Sequence, residues 1–159
     1  MKLIAAIALA LSAALVTPVF AESKTSGEAN MKILRDKIKA DKKLVVAANM
    51  ALTDAEAKKF WPIYDGYQKT LAGLNKRLAT VIVEYAEADE KGAVTDALAK
   101  KLIDEAIKID QDIAKARASV AKKLSPVLPG KKLARYMQIE SKIRAAINYE
   151  LASGIPLVQ

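Results

Sequence analysis

Carboxylates, lysines and aromatic rings are the side chains with chemistry to offer in this chain, because it holds no histidine and no cysteine. Zinc, copper and haem sites normally require imidazole or thiolate ligands, so no metal site of that kind is expected. Nucleophilic catalysis of the serine–histidine or cysteine–histidine kind cannot be assembled, and no glycine-rich phosphate loop is present. The acidic run Glu84, Glu87, Asp89 and Glu90 lacks the alternating oxygen ligands and turn glycine of a calcium loop, and reads as a solvated helix tip. Asp104–Lys108 and Lys108–Asp112 are spaced as surface ion pairs on a helix, worth roughly 0.2–0.5 kcal/mol each, rather than as catalytic carboxylates. The expectation is a non-enzyme with no catalytic residues, no metal and no cofactor.

What remains is binding. Phe60, Trp61, Tyr64 and Tyr67 gather aromatic rings into two helical turns. They suit either core packing, where terminal helices meet a central hairpin, or an apolar recognition patch, since aromatics bury much area at small entropic cost. Lys122, Lys123, Lys131, Lys132 and Arg135 follow one another with no acid between them. They make either a solvated turn, with lysines suited to a helix C-terminus, or a docking site for an anionic partner. Both groups are candidate client-binding residues.

The elements that must position them are helices. Leu52-Thr53-Asp54-Ala55-Glu56 reads as a helix start, with Thr53 capping the first turn, Glu56 completing a capping box and Asp54 favoured by the helix dipole. Phe60, Tyr64, Tyr67, Leu71, Leu74, Leu78, Val81 and Tyr85 then alternate at spacings of four and three, the seam of a helix packed lengthwise on another. Pro62 is expected to bend this helix near its start. Gly92 ends it, and Thr95-Asp96 begins a second helix striped by Leu98, Leu102, Ala106, Ile109, Ile113, Ala116, Val120 and Leu124. At 1.5 Å per residue the two form an extended antiparallel hairpin about 40–55 Å long.

Beyond the break Ser125-Pro126-Val127-Leu128-Pro129-Gly130, a last helix over 131–152 carries Leu133, Tyr136, Ile139, Ile143, Ile147 and Leu151. A first helix from about Glu28 carries Met31, Leu34 and Ile38, and the stretch Leu44 to Leu52 either continues it or bends away. No segment has strand character. The fold class is all-α: a long antiparallel hairpin with a shorter N-terminal helix and a C-terminal helix. Trp61, Ile63 and Ile82 widen the seam beyond what a two-stranded coiled coil covers, so a homodimer is expected.

Residues 1–21 speak to location. Met1-Lys2 is a short positive start, Leu3 to Val16 is apolar or small throughout, and Pro18-Val19-Phe20-Ala21 offers a cleavage site before Glu22. This order is that of a secretory signal peptide, and the apolar run is shorter than the roughly 20 residues a membrane span needs. The chain therefore divides into a signal peptide over 1–21, a flexible N-terminus over 22–27 and a helical domain over 28–159. Without cysteine the exported domain is held by packing alone. The formal charge of +8 reads either as a solvated basic surface or as a sign of anionic partners; outside the cytoplasm the latter are lipid headgroups, envelope polysaccharide or acidic unfolded chains rather than nucleic acid.

Leu52-Thr53-Asp54-Ala55-Glu56 resembles the LTxxQ signature of the Spy/CpxP-like periplasmic stress proteins, with Glu56 in place of the final glutamine. Leu124-Ser125-Pro126 is similar to the start of a second copy, although no Gln or Glu follows at the matching place. Phe60-Trp61-Pro62-Ile63-Tyr64 and Leu128-Pro129-Gly130-Lys131-Lys132 through Gln138-Ile139-Glu140 look like an uncharacterised branch of exported helical proteins. The resemblance spans nearly all of the exported part. It implies a cradle-shaped helical dimer in the periplasm that shields unfolded proteins without ATP, or an adaptor that docks on one envelope partner such as a stress sensor. Metal-sensing relatives carry His-rich or Cys-containing segments, which this chain lacks. Contact with an anionic envelope surface is a further expectation from its basic character.

Overall fold

A computed structural model describes residues 41–158. The signal peptide over 1–21, the flexible N-terminus over 22–27 and the start of the first helix lie outside the described residues. Among the described residues every regular element is a helix: α1 over 41–50, α2 over Asp54–Glu90, α3 over Asp96–Leu124 and α4 over Gly130–Gly154. The all-α class and the central hairpin are as the spacing of apolar residues predicts.

The stretch left open in the sequence continues α1 through Met50 and breaks at Ala51, whose φ of 44° lies in the left-handed region. That conformation costs a residue with a Cβ roughly 1–2 kcal/mol. Lys132 Nζ donates to the Ala51 carbonyl at 2.8 Å, tying the turn to the first turn of α4. Thr53 then starts α2 through the capping box: Glu56 N donates to Thr53 Oγ1 at 3.3 Å, and Thr53 N donates to Glu56 Oε2 at 2.8 Å. Pro62 sits inside α2 without ending it. Two turns inside the helix, its ring removes the bond that a residue there would donate to the Lys58 carbonyl, and the rest of the ladder carries α2 through.

The hairpin turn follows from Gly92. At φ 59° it occupies the left-handed position, Gly92 N donates to Asp89 O at 3.0 Å, and Ala93 N donates to Ala88 O at 2.8 Å. These are the paired bonds of a Schellman stop, which glycine takes without a Cβ clash. Thr95 caps α3 by accepting from Leu98 N at 3.2 Å.

The seam of α2 buries Phe60, Tyr64, Tyr67, Leu74 and Ile82, facing Leu102, Ile109, Ile113, Val120 and Leu124 of α3. Near the tip Ile82 takes the innermost place, while Val81 and Tyr85 are half-buried. A strict 3.5-residue repeat drifts against the 3.6-residue helix, so over ten turns the buried line moves to the next residue. At the other end α1 and α4 close over the hairpin: Val46, Met50, Leu128 and Tyr136 join Phe60, Tyr64 and Leu124 in the larger core cluster. Trp61 and Ile63, expected to overflow the hairpin, pack against this cluster within one chain. Ile147, expected inside, is exposed near the far end of α4.

Candidate binding surface

The aromatic group resolves into core. Phe60, Tyr64 and Tyr67 are 0%, 2% and 7% exposed, which corrects the reading of these three as surface recognition residues. Phe60 meets Tyr136 edge-on at 5.1 Å and Trp61 at 5.0 Å between ring centroids, the geometry that ring quadrupoles favour. Burial, with the Glu140 charge second, raises the Tyr64 hydroxyl pKa above its usual value and pushes that of Tyr67 up to about 12. Trp61 keeps a partly open face. Lys43 Nζ stands 5.0 Å from its ring centroid and bonds Asp65 at 2.7 Å, a cation–π contact between α1 and α2.

The basic group divides. Lys122, Lys123, Lys131 and Arg135 are exposed. Lys132 is not a free cation: its Nζ donates to Glu56 Oε2 at 2.6 Å and to the Ala51 carbonyl. The Lys132 bond, with the Thr53 backbone donor behind it, holds the Glu56 carboxyl below its ordinary value. The motif residues Leu52, Thr53 and Glu56 thus join three segments, with Leu52 packed on the core and Glu56 serving both cap and ion pair. Lys132 as a docking residue is corrected accordingly, because the α1–α2 turn uses its charge.

One polar cluster has no counterpart in the sequence reading. Glu140, 4% exposed, accepts from Lys42 Nζ at 2.9 Å and from Gln68 Nε2 at 3.1 Å, while Lys42 also donates to Gln68 Oε1 at 2.9 Å. It binds α1, α2 and α4 at one level. The signal was present: Leu133, Tyr136, Glu140, Ile143 and Ile147 run at spacings of three and four, which puts an acid on the seam of α4.

On the opposite side of the hairpin Arg77 donates to Glu105 Oε1 from Nε at 2.9 Å and from Nη2 at 2.7 Å, and to Asp112 Oδ2 at 3.0 Å. Arg77 lowers the Asp112 pKa by these bonds. A shallow groove of about 170 Å³ between α2 and α3 is lined by Arg77, Val81, Leu102 and Glu105, and its charges answer one another. Among the described residues no group of acids is arranged to hold a metal ion, and no helix is long and apolar enough to cross a membrane.

The surface has apolar features of its own. Leu44 and Val45 on α1 are 66% and 46% exposed, and Ile103 and Ile107, one turn apart on α3, are 56% and 50% exposed. Lys100, Asp104 and Lys108 flank the α3 pair and are exposed too. Compared with known proteins, the chain matches no family model, no curated protein and no solved structure.

Proposed function

We propose that this protein is a periplasmic, ATP-independent chaperone-like factor that binds exposed segments of unfolded proteins without catalysis. The carrying observation is the pair Ile103 and Ile107, half-exposed on a rigid helix and bracketed by Lys100, Asp104 and Lys108. Apolar client segments gain contact with the isoleucines, and the lysines attract acidic ones and speed encounter. The LTxxQ-like stretch and the signal-like N-terminus support the compartment and the class. The aromatic residues contribute indirectly, by fixing the scaffold.

Suppression of aggregation tests it. The protein is expected to slow the aggregation of several unrelated unfolded proteins at near-stoichiometric ratios, and Ile103→Gln with Ile107→Gln to weaken that protection while leaving helicity unchanged. Protection of none, or capture of one envelope partner only, would replace this reading with that of an adaptor.

A further inference from the structure

We propose that the end of the bundle where α1 meets the first turns of α2 and α4 docks on an anionic lipid bilayer. This goes beyond the chaperone reading and uses a different surface. Its first component is an outward apolar face on a surface helix. Leu44, Val45, Ala47 and Ala48 are exposed, while Val46 and Met50 are buried. The outer side also carries Asp41 and Asn49 at its two ends, but between them it is apolar. An apolar helix stripe is expected to be covered, yet here it meets solvent.

The second component is charge. Between Ala116 and Arg135 the sequence has six cations and no acid. Lys122, Lys123, Lys131 and Arg135 are exposed, as is Lys58 on α2. The Lys43–Trp61 contact and the Lys132–Ala51 bond set α1 beside the starts of α2 and α4. Lys58 lies one turn before Trp61 and Arg135 one turn after Lys132, so cations border the apolar ridge on both flanks. The acids on this side are Asp41, Asp54, Glu56 and Asp65; Glu56 is already bonded by Lys132 and Asp65 by Lys43.

An apolar helix face bordered by lysines and arginine is the arrangement of an interfacial helix. Its apolar side chains enter the headgroup–acyl boundary, and its cations meet anionic headgroups. Charge complementarity selects an anionic surface over a zwitterionic one. It also orients the molecule, since the far tip between Glu84 and Asp96 carries five acids and one cation. With α2 37 residues long, that tip is held about 55 Å from the basic end, and an anionic surface repels it.

Co-sedimentation with vesicles tests the proposal, every variant carrying the same residues 1–40. Binding is expected to vesicles containing phosphatidylglycerol and not to phosphatidylcholine alone. Each cation near an anionic surface contributes roughly fivefold, so K58Q/K131Q/R135Q together should weaken binding about 100-fold. Leu44→Gln with Val45→Gln, at exposed positions where the fold is not at stake, should weaken it about tenfold. Trp61 is the only tryptophan, and brominated lipid should quench it on binding. Equal binding to both vesicle types, full binding by either variant, or an unquenched Trp61 in the bound protein would overturn the proposal. Capture of polyglutamate with no vesicle binding would overturn it as well. If circular dichroism shows the charge variant to be less helical, the Leu44/Val45 variant and the quenching decide. Failure of aggregation suppression with vesicle binding intact removes the chaperone reading and leaves this one standing.

Discussion

Replacing Tyr136 by phenylalanine should stabilise this protein. The ring is fully buried, and its hydroxyl has no hydrogen-bond partner. Burial raises its pKa well above the usual tyrosine value, with the Glu140 charge next in effect; the Glu140 carboxylate also stands close enough to attract the hydroxyl proton, but the contact falls short of hydrogen-bond geometry. A buried hydroxyl without a partner costs about 1–3 kcal/mol in lost hydration. Phenylalanine keeps the ring contacts with Phe60 at 5.1 Å and Tyr64 at 6.2 Å. The space left by one oxygen is smaller than a methyl group and costs under about 1 kcal/mol. The expected net gain is therefore about 1 kcal/mol. In urea unfolding followed by circular dichroism, with a slope of about 1.5 kcal/mol/M, the midpoint should rise by about 0.7 M with the slope unchanged. Tyr136→Ala, which removes the ring as well, should cost about 3–5 kcal/mol. A Tyr136→Phe midpoint below that of the wild type would show that the hydroxyl is satisfied, and would refute the reasoning.

Three further outcomes are expected. The folded-state pKa of Glu56 is depressed by Lys132 and the Thr53 backbone donor, so its stabilisation is full above the ordinary carboxyl value of 4.5 and is lost as pH falls through the lower folded value; Lys132→Met should flatten this acid limb in unfolding midpoints measured against pH. Tyr67 is held up to about 12 from an ordinary 10, chiefly by burial, so an unfolded chain releases its proton between those values while the folded chain keeps it, and stability should fall over that window; Tyr67→Phe should make the fall shallower. Exposed Ile103 and Ile107 are the apolar pair offered to clients, so self-association through them would compete with client binding; sedimentation should show a homodimer at tens of micromolar, on the order of common transient affinities, and a monomer throughout would remove the dimer expected from the sequence.

The hairpin was legible because its signals are local and repeated. The four-and-three spacing of α2 and α3, the Thr53 and Thr95 caps and the Gly92 stop each act within one or two turns. Features depending on contacts between distant segments were harder to read. Alanine has no preference for the left-handed region, so the break at Ala51 left no mark in the sequence; its stabiliser, Lys132, lies 81 residues away. Lys132 looked like one more cation in a basic run because its partner belongs to another helix. The Phe60–Tyr67 group admitted core and surface readings until α1 and α4 were seen to close over it. Glu140 is masked in the sequence by Ile139, an adjacent and more apolar residue through which the α4 seam runs equally well.

That buried acid also bears on how a bundle with a repetitive apolar seam settles on one arrangement. Leucines and isoleucines at spacings of three and four pack nearly as well one turn along, so apolar contact alone discriminates poorly between registers. Glu140 has fixed partners, Lys42 and Gln68, and sliding α1 or α4 by a turn separates them. Removing the carboxylate alone should cost about 3 kcal/mol, because Lys42 loses its counter-charge and keeps only Gln68 Oε1, while Gln68 Nε2 loses its acceptor, in a mostly buried place. Replacing all three together, as Lys42→Met, Gln68→Leu and Glu140→Leu, should be neutral or stabilising, since no ion then needs desolvation. The expected loss is of specificity: α1 would keep Val46 and Met50 in the core, but its amides should exchange faster and its resonances broaden as registers interconvert. A triple variant at least as stable as the wild type, with α1 amides equally protected, would show that packing of Val46 and Met50 sets the register unaided. A single Glu140→Ala that cost under about 1 kcal/mol would show that Lys42 and Gln68 find water instead, and that the cluster fixes nothing.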